Sequence, residues 1–214
     1  MQESDPTRLG RVARVLLGLW LVIDIAFAGA ALVTIGVLGG FGGGIATMPR
    51  LTFADTLTRV VGLAYTVAFV ATAITLLRWV YVTNRNAHAV SDWPTITPGW
   101  AVGWFFIPFA SLFKPFQGMR EFWQASSDPA APGNVPVPAI MRWWWGGWIV
   151  LSMIGNLSFR LSMRAETPGE VIFASWLDVI SVPFDALAAV TLGMLIARVS
   201  ALQHCALGTG LSSD

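Results

Sequence analysis

Charge is what this chain has least of. Only 12% of its 214 residues are Asp, Glu, Lys or Arg, and 55% are hydrophobic; a soluble domain carries about 25% charged residues. A soluble fold of this length cannot hide so much apolar surface, so an apolar solvent is implied. Lysine is nearly absent, Lys114 being one lysine among 13 basic residues. The arginine bias, with abundant Ala and Gly, points to a GC-rich bacterial genome. A net charge of +1 offers no face for nucleic acid. A single cysteine, Cys205, excludes an intrachain disulfide. His88 and His204 are the two histidines, too few with one cysteine for a zinc or haem site. HExxH, paired-Cys and GxSxG patterns are missing. No catalytic residue, cofactor or metal is assigned, and a non-enzymatic protein is expected.

What is present is a set of long apolar runs. Val15–Leu38 is broken only by Asp24, Val60–Leu77 and Trp143–Phe159 carry no charge, and Val171–Ile196 carries Asp178 and Asp185. Each approaches or exceeds the roughly 17–25 residues a helix needs to cross hydrocarbon. A backbone in lipid must bond to itself, so the runs predict helices. Arg8, Arg11 and Arg14 precede the first run as in a signal peptide, but its 24 residues fit a retained span. Spans are expected over about 13–38, 58–82, 141–163 and 171–197, with a short frayed tail from 200 to 214.

Gly99–Phe113 is also apolar but has only 15 residues, opened by Pro98 and interrupted by Pro108. The basic residues decide how to place it. If it does not cross and the N-terminus is cytoplasmic, Arg8, Arg11, Arg14, Arg78, Arg85, Lys114, Arg120, Arg142 and Arg198 lie inside, and Arg50, Arg59, Arg160 and Arg164 outside, a 9-to-4 split. If it crosses, the split falls to 7 to 6. The expected fold is therefore an all-α polytopic membrane bundle of four transmembrane helices. Both termini are cytoplasmic, and a Pro-broken re-entrant or interfacial segment covers 98–126. Five spans are the alternative.

The sequence after Phe113 fits an interfacial position. In Pro115–Ser126, Phe116, Met119, Phe122 and Trp123 recur at helical spacing, with Gln117, Arg120, Glu121 and Gln124 on the other side. That is an amphipathic helix, suited to the headgroup boundary or to a soluble connector. Pro129–Pro138 is a Pro-rich loop. Trp143, Trp144, Trp145 and Trp148 read as an aromatic belt. The run Gly39–Gly44 lacks the Lys-Ser/Thr of a phosphate loop and reads as an outer loop. His88 is expected in a polar connector beyond the second helix.

The string Pro98-Gly99-Trp100-Ala101-Val102-Gly103-Trp104, then Ile107-Pro108, Lys114-Pro115-Phe116-Gln117 and Met119-Arg120-Glu121-Phe122-Trp123, resembles the bacterial membrane family called domain of unknown function 4328. Asn84, Asn86-Ala87 and Trp143-Trp144 match that pattern as well. Ser111 stands where the family has Asn, and Phe116 where it has Tyr. The resemblance implies an integral membrane protein and brings no activity, cofactor or catalytic residue. It marks Pro98, Trp100, Trp104, Pro108, Lys114, Pro115, Arg120, Glu121 and Trp123 as a candidate interfacial segment.

Charges inside the spans form a second candidate site. An aspartate at a helix centre costs about 2.5–3.5 kcal/mol, so Asp24, Asp178 and Asp185 cannot all face lipid unpaired. Asp178 and Asp185 share a face with Ser175 and Ser181, and Ser152, Asn156 and Arg160 form a stripe on the third helix. An Arg160–Asp178 pair is expected, with Asp24 and Asp185 near the midplane facing each other or a shared cavity. The set Asp24, Asn156, Arg160, Asp178 and Asp185 reads either as interhelical glue or as a proton or cation pathway. Expected partners are the lipid bilayer, further copies of the chain, or a membrane or cytoplasmic protein. The expected location is a bacterial inner membrane.

Overall fold

The computed structural model describes residues 6–40 and 48–210, with side chains to 205. Among them the chain is helical, without strands: α1 (Pro6–Leu38), α2 (Met48–Val90), α3 (Pro98–Gly103), α4 (Lys114–Ser127), α5 (Ala139–Ser162) and α6 (Pro168–Gly210). Two short 3₁₀ turns, Trp104–Phe106 and Ala110–Leu112, lie between α3 and α4. Three helices, α1, α2 and α6, are long and apolar enough to cross a membrane. At 1.5 Å per residue, the 43-residue α2 and α6 each measure about 64 Å, twice the hydrocarbon thickness of ~30 Å. The 24-residue α5 is long enough at about 36 Å. Its tryptophans, glycines, serines and Asn156 leave it without a stretch as apolar as those in the other three.

Several boundaries differ from the sequence expectation. α2 begins ten residues before 58 and runs on to Val90, so His88, expected in a polar connector beyond the helix, is a half-buried residue of its last turn, one turn after the buried Thr83, Asn84 and Asn86. It ends shortly before Pro94, which disfavours helix in the residue before it. α6 continues through Pro183 and past 200 to Gly210, so the frayed tail is absent as far as 210. Gln203, 2% exposed, anchors that last stretch. α1 stops where Gly40 takes φ +64°, a conformation open to glycine. The rest of the glycine run, from Phe41, lies outside the described residues. Gly99–Phe113 holds no helix longer than six residues, about 9 Å, too little to cross as a helix.

The chain divides into two compact units. Unit 1 comprises residues 1–17, 71–145 and 190–214. It has an ordinary core, in which Ala13, Trp79, Met119, Phe122, Met141, Leu195, Ile196 and Val199 are fully or almost fully buried. Trp79 meets Phe122 edge to face at 5.9 Å. Trp144 is buried in the same core, so among the belt tryptophans it is a packing residue, while Trp143 stays exposed. Polar side chains lock the unit. Gln203 Nε2 donates to Thr83 O at 2.8 Å and to Ser126 Oγ at 3.0 Å, and its Oε1 accepts from Asn86 Nδ2 at 3.3 Å. Trp79 Nε1 donates to Ser200 Oγ at 3.2 Å.

Unit 2 comprises residues 18–70 and 146–189. Its large apolar side chains point outward: Val22, Ile25, Val60, Leu63, Val67, Met153, Phe159 and Phe173 are all exposed. Buried positions go instead to small or polar residues such as Ala28, Ala31, Asp24, Ser158, Ser175 and Asp185. That inversion suits an apolar solvent, in which small residues let helices approach and polar ones bond across. α6 starts with a capping box: Glu170 Oε2 accepts from Thr167 N at 3.0 Å, and Thr167 Oγ1 accepts from Glu170 N at 3.4 Å.

Gly10 tests the packing of unit 1. A Cβ there would stand 2.5 Å from Ser200 Oγ and 3.2 Å from Ile196 Cγ2, so Gly10→Ala must displace the hydroxyl that Trp79 bonds. Losing a buried hydrogen bond costs about 1–3 kcal/mol. Thermal unfolding in detergent should show Gly10→Ala destabilised, and Gly10→Ala/Ser200→Ala no worse than Ser200→Ala by more than about 0.5 kcal/mol. Additive losses would place the strain elsewhere.

Candidate functional site

Two polar sites emerge. In unit 1 the Pro98–Ser127 segment is built around Glu121. This carboxylate is 5% exposed yet saturated. It accepts from Thr95 N (2.8 Å), Thr95 Oγ1 (2.8 Å), Ile96 N (3.0 Å) and Gln117 Nε2 (3.0 Å). Charge-assisted bonds of this kind are about twice as strong as neutral ones, so Glu121 fixes the loop before α3 onto α4. Gln124, also buried, donates from Nε2 to Val135 O at 2.9 Å. The expected solvated face of α4 is therefore half wrong. Glu121 and Gln124 point inward because the 93–98 and 128–138 loops close over them, leaving Arg120 exposed.

Aromatic side chains do the reverse. Trp100, Phe106, Phe109 and Phe113 are exposed, at 51%, 71%, 81% and 69%. Trp100 stacks on Trp104 with centroids 4.6 Å apart. Lys114 Nζ lies 5.8 Å from the Trp104 ring and donates to Gln117 Oε1 at 3.1 Å. Phe109 holds φ 62° and ψ −46°, and Ala110 N donates to Pro108 O at 2.7 Å. That is the strained form of the γ-turn, unusual for a bulky residue. Pro98 and Trp104 are half-buried, Pro108 is exposed, Pro115 is buried and Trp123 is half-buried. Among the described residues the indole nitrogen of Trp123 has no hydrogen-bond partner. Nor has either amide atom of the fully buried Asn84.

In unit 2 Asp24 and Asp185 are buried and Asp178 is half-buried. Asp24 is 5% and Asp185 2% exposed, and one oxygen of each is unpartnered. Tyr65 packs between Trp20 (centroids 5.9 Å) and Phe27 (5.4 Å). Sequence reasoning missed it because the second run shows no charge; a lone tyrosine inside an apolar run was the available signal. Among the described residues no three His, Cys, Asp or Glu side chains could hold a metal ion.

The Arg160–Asp178 pair is not formed. Asp178 Oδ1 accepts from Ser158 Oγ instead. Ser158 is two residues from Arg160, about 200° around the helix, so when one faces α6 the other faces away. Arg160 and Asn156 are both exposed, and Asn156 Nδ2 turns back to Ser152 O at 2.7 Å. The stripe was correctly spaced but lies on the outer face, and neither Asn156 nor Arg160 joins the aspartates.

A family model described as Domain of unknown function (DUF4328) matches residues 46–201. The chain belongs to this family. No curated protein and no solved structure matches it. The DUF4328 match takes in the whole Glu121-centred segment, with Tyr65, Ser158, Asp178 and Asp185, and leaves out Asp24.

Two substitutions separate structural anchors from bystanders. Ser158→Ala removes the bond to Asp178 and should cost about 1–3 kcal/mol, whereas Arg160→Ala should fall within about 0.5 kcal/mol of wild type, both read from unfolding in detergent. Glu121→Gln should loosen the 93–98 loop and raise hydrogen exchange at Thr95 and Ile96 without disturbing α5. Unchanged exchange there would show that the carboxylate does not hold the loop.

Proposed function

We propose that this DUF4328 protein is a non-enzymatic, four-span protein of a bacterial inner membrane, with both ends cytoplasmic. Its Pro98–Ser127 segment is a lipid-contact element at the cytoplasmic interface. The observation that carries the reading is the Phe109 turn. An apolar ring held outward by a strained backbone is stable only where its surroundings reward exposure, and a leaflet does so. Exposed Phe106, Phe113 and Trp100 extend the same surface, and aromatic side chains favour the headgroup level. α5 supplies the fourth span, with Met153, Leu157 and Phe159 facing outward.

A second reading attaches to Asp24, Asp178 and Asp185 as a proton pathway, favoured by the unpartnered oxygens of Asp24 and Asp185. Proton-linked flux in reconstituted vesicles that disappears in Asp24→Asn and Asp185→Asn would support it. Absence of flux in the wild type would remove it.

Phe109→Gly relieves the strain and deletes the ring. Stability in detergent should hold or rise by about 1 kcal/mol, while quenching by brominated lipid of the neighbouring Trp100 and Trp104 should fall. Unchanged quenching would oppose the lipid-contact reading. For topology, single cysteines at Asp128 and Asn134, with the exposed native Cys205 replaced by serine, should resist an impermeant thiol reagent outside intact cells. Ready labelling there would show that 99–113 crosses.

A further inference from the structure

Within the interfacial segment the charges are sorted by sign. Its carboxylate, Glu121, is turned inward and spent on four accepted hydrogen bonds. Its two cations are not neutralised: among the described residues neither Lys114 nor Arg120 makes an ion pair. Gln117 stands between Lys114 and Glu121, accepting from one and donating to the other, so the lysine makes no direct ion pair with the carboxylate. Lys114 is half-buried, with one N–H engaged by Gln117 and its charge beside the Trp104 ring. The exposed Phe113 precedes it directly. A cation flanked by rings that enter a leaflet is held at headgroup depth, where its remaining N–H donors meet phosphate oxygens.

We propose that this surface selects anionic phospholipid headgroups, with Lys114 as the contacting cation and Arg120 adding to the field. The proposal rests on the interfacial reading. Charge complementarity commits it to lipid: a surface that buries its acid and displays unpaired bases matches an anionic leaflet better than a zwitterionic one. Selectivity of about fivefold is the size one basic side chain supplies near an anionic surface.

The test uses full-length protein in phosphatidylcholine vesicles carrying a trace of spin-labelled phosphatidylglycerol or spin-labelled phosphatidylcholine. The motionally restricted fraction is read from the electron spin resonance spectrum. Labelled phosphatidylglycerol should be restricted about fivefold more favourably than labelled phosphatidylcholine. That preference should drop clearly in Lys114→Gln, persist in Lys114→Arg and shrink at high salt. Equal restriction of the two lipids by the wild type, or an undiminished preference in Lys114→Gln, overturns the proposal. A spin label at Phe109→Cys, in the Cys205→Ser background, separates this from failure of the parent reading. A label reached by oxygen and shielded from a water-soluble relaxant, together with no lipid preference, sinks headgroup selection alone. A label open to the aqueous relaxant sinks both.

Discussion

A peptide group in hydrocarbon has to find its hydrogen-bond partner within its own helix, and the Pro98–Phe113 segment cannot meet that condition. Pro98 and Pro108 carry no N–H, α3 lasts six residues, and the Phe109 turn closes only a local bond to Pro108. Backbone of this kind persists where water, headgroups or other protein atoms complete it. The continuous α1, α2 and α6 meet the condition outright and are apolar enough to cross. The same constraint thus sorts the chain into pieces suited to the membrane and a piece suited to its boundary.

In unit 1 the Glu121 carboxylate and the Gln203 amide are each bonded several times, although Thr83 and Asn84 keep side-chain polar atoms without a partner among the described residues. Such networks fix a single arrangement of loops and helix ends. In unit 2 Asp178 has its serine, but Asp24 and Asp185 each keep an oxygen without a partner. An unpaired buried oxygen costs free energy.

Helical class, the long runs and the break at Pro98–Phe113 were legible because apolar length and proline act locally. The inward turn of Asp24 and Asp185 was legible too, since charge in an apolar run has few places to go. What sequence spacing missed was direction. Ser152, Asn156 and Arg160 are properly spaced at i, i+4 and i+8, yet periodicity gives a stripe without saying which way it faces, and Ser158 took the inner position. Glu121 was misplaced for a related reason: amphipathic patterning assumes that a charge seeks water, and here two loop amides, a hydroxyl and a glutamine amide replace it. The helical end of α6 was hidden because its anchor, Gln203, bonds residues 120 and 77 positions away.

The string that carries the sequence's resemblance to the family coincides with the segment where burial runs against residue type. Glu121 and Gln124 are inside, and Phe106, Phe109 and Phe113 are outside. In an aqueous domain this arrangement would lose on both counts, forfeiting apolar burial of roughly 1.5–3 kcal/mol for each large side chain while adding backbone strain at Phe109. An environment that solvates rings on one side and accepts cations on the other reverses both terms. On the proposed reading the string is one physical device: Glu121 holds the loop shut, the prolines keep it from becoming a helical span, and the rings and Lys114 would face the boundary where hydrocarbon gives way to phosphate.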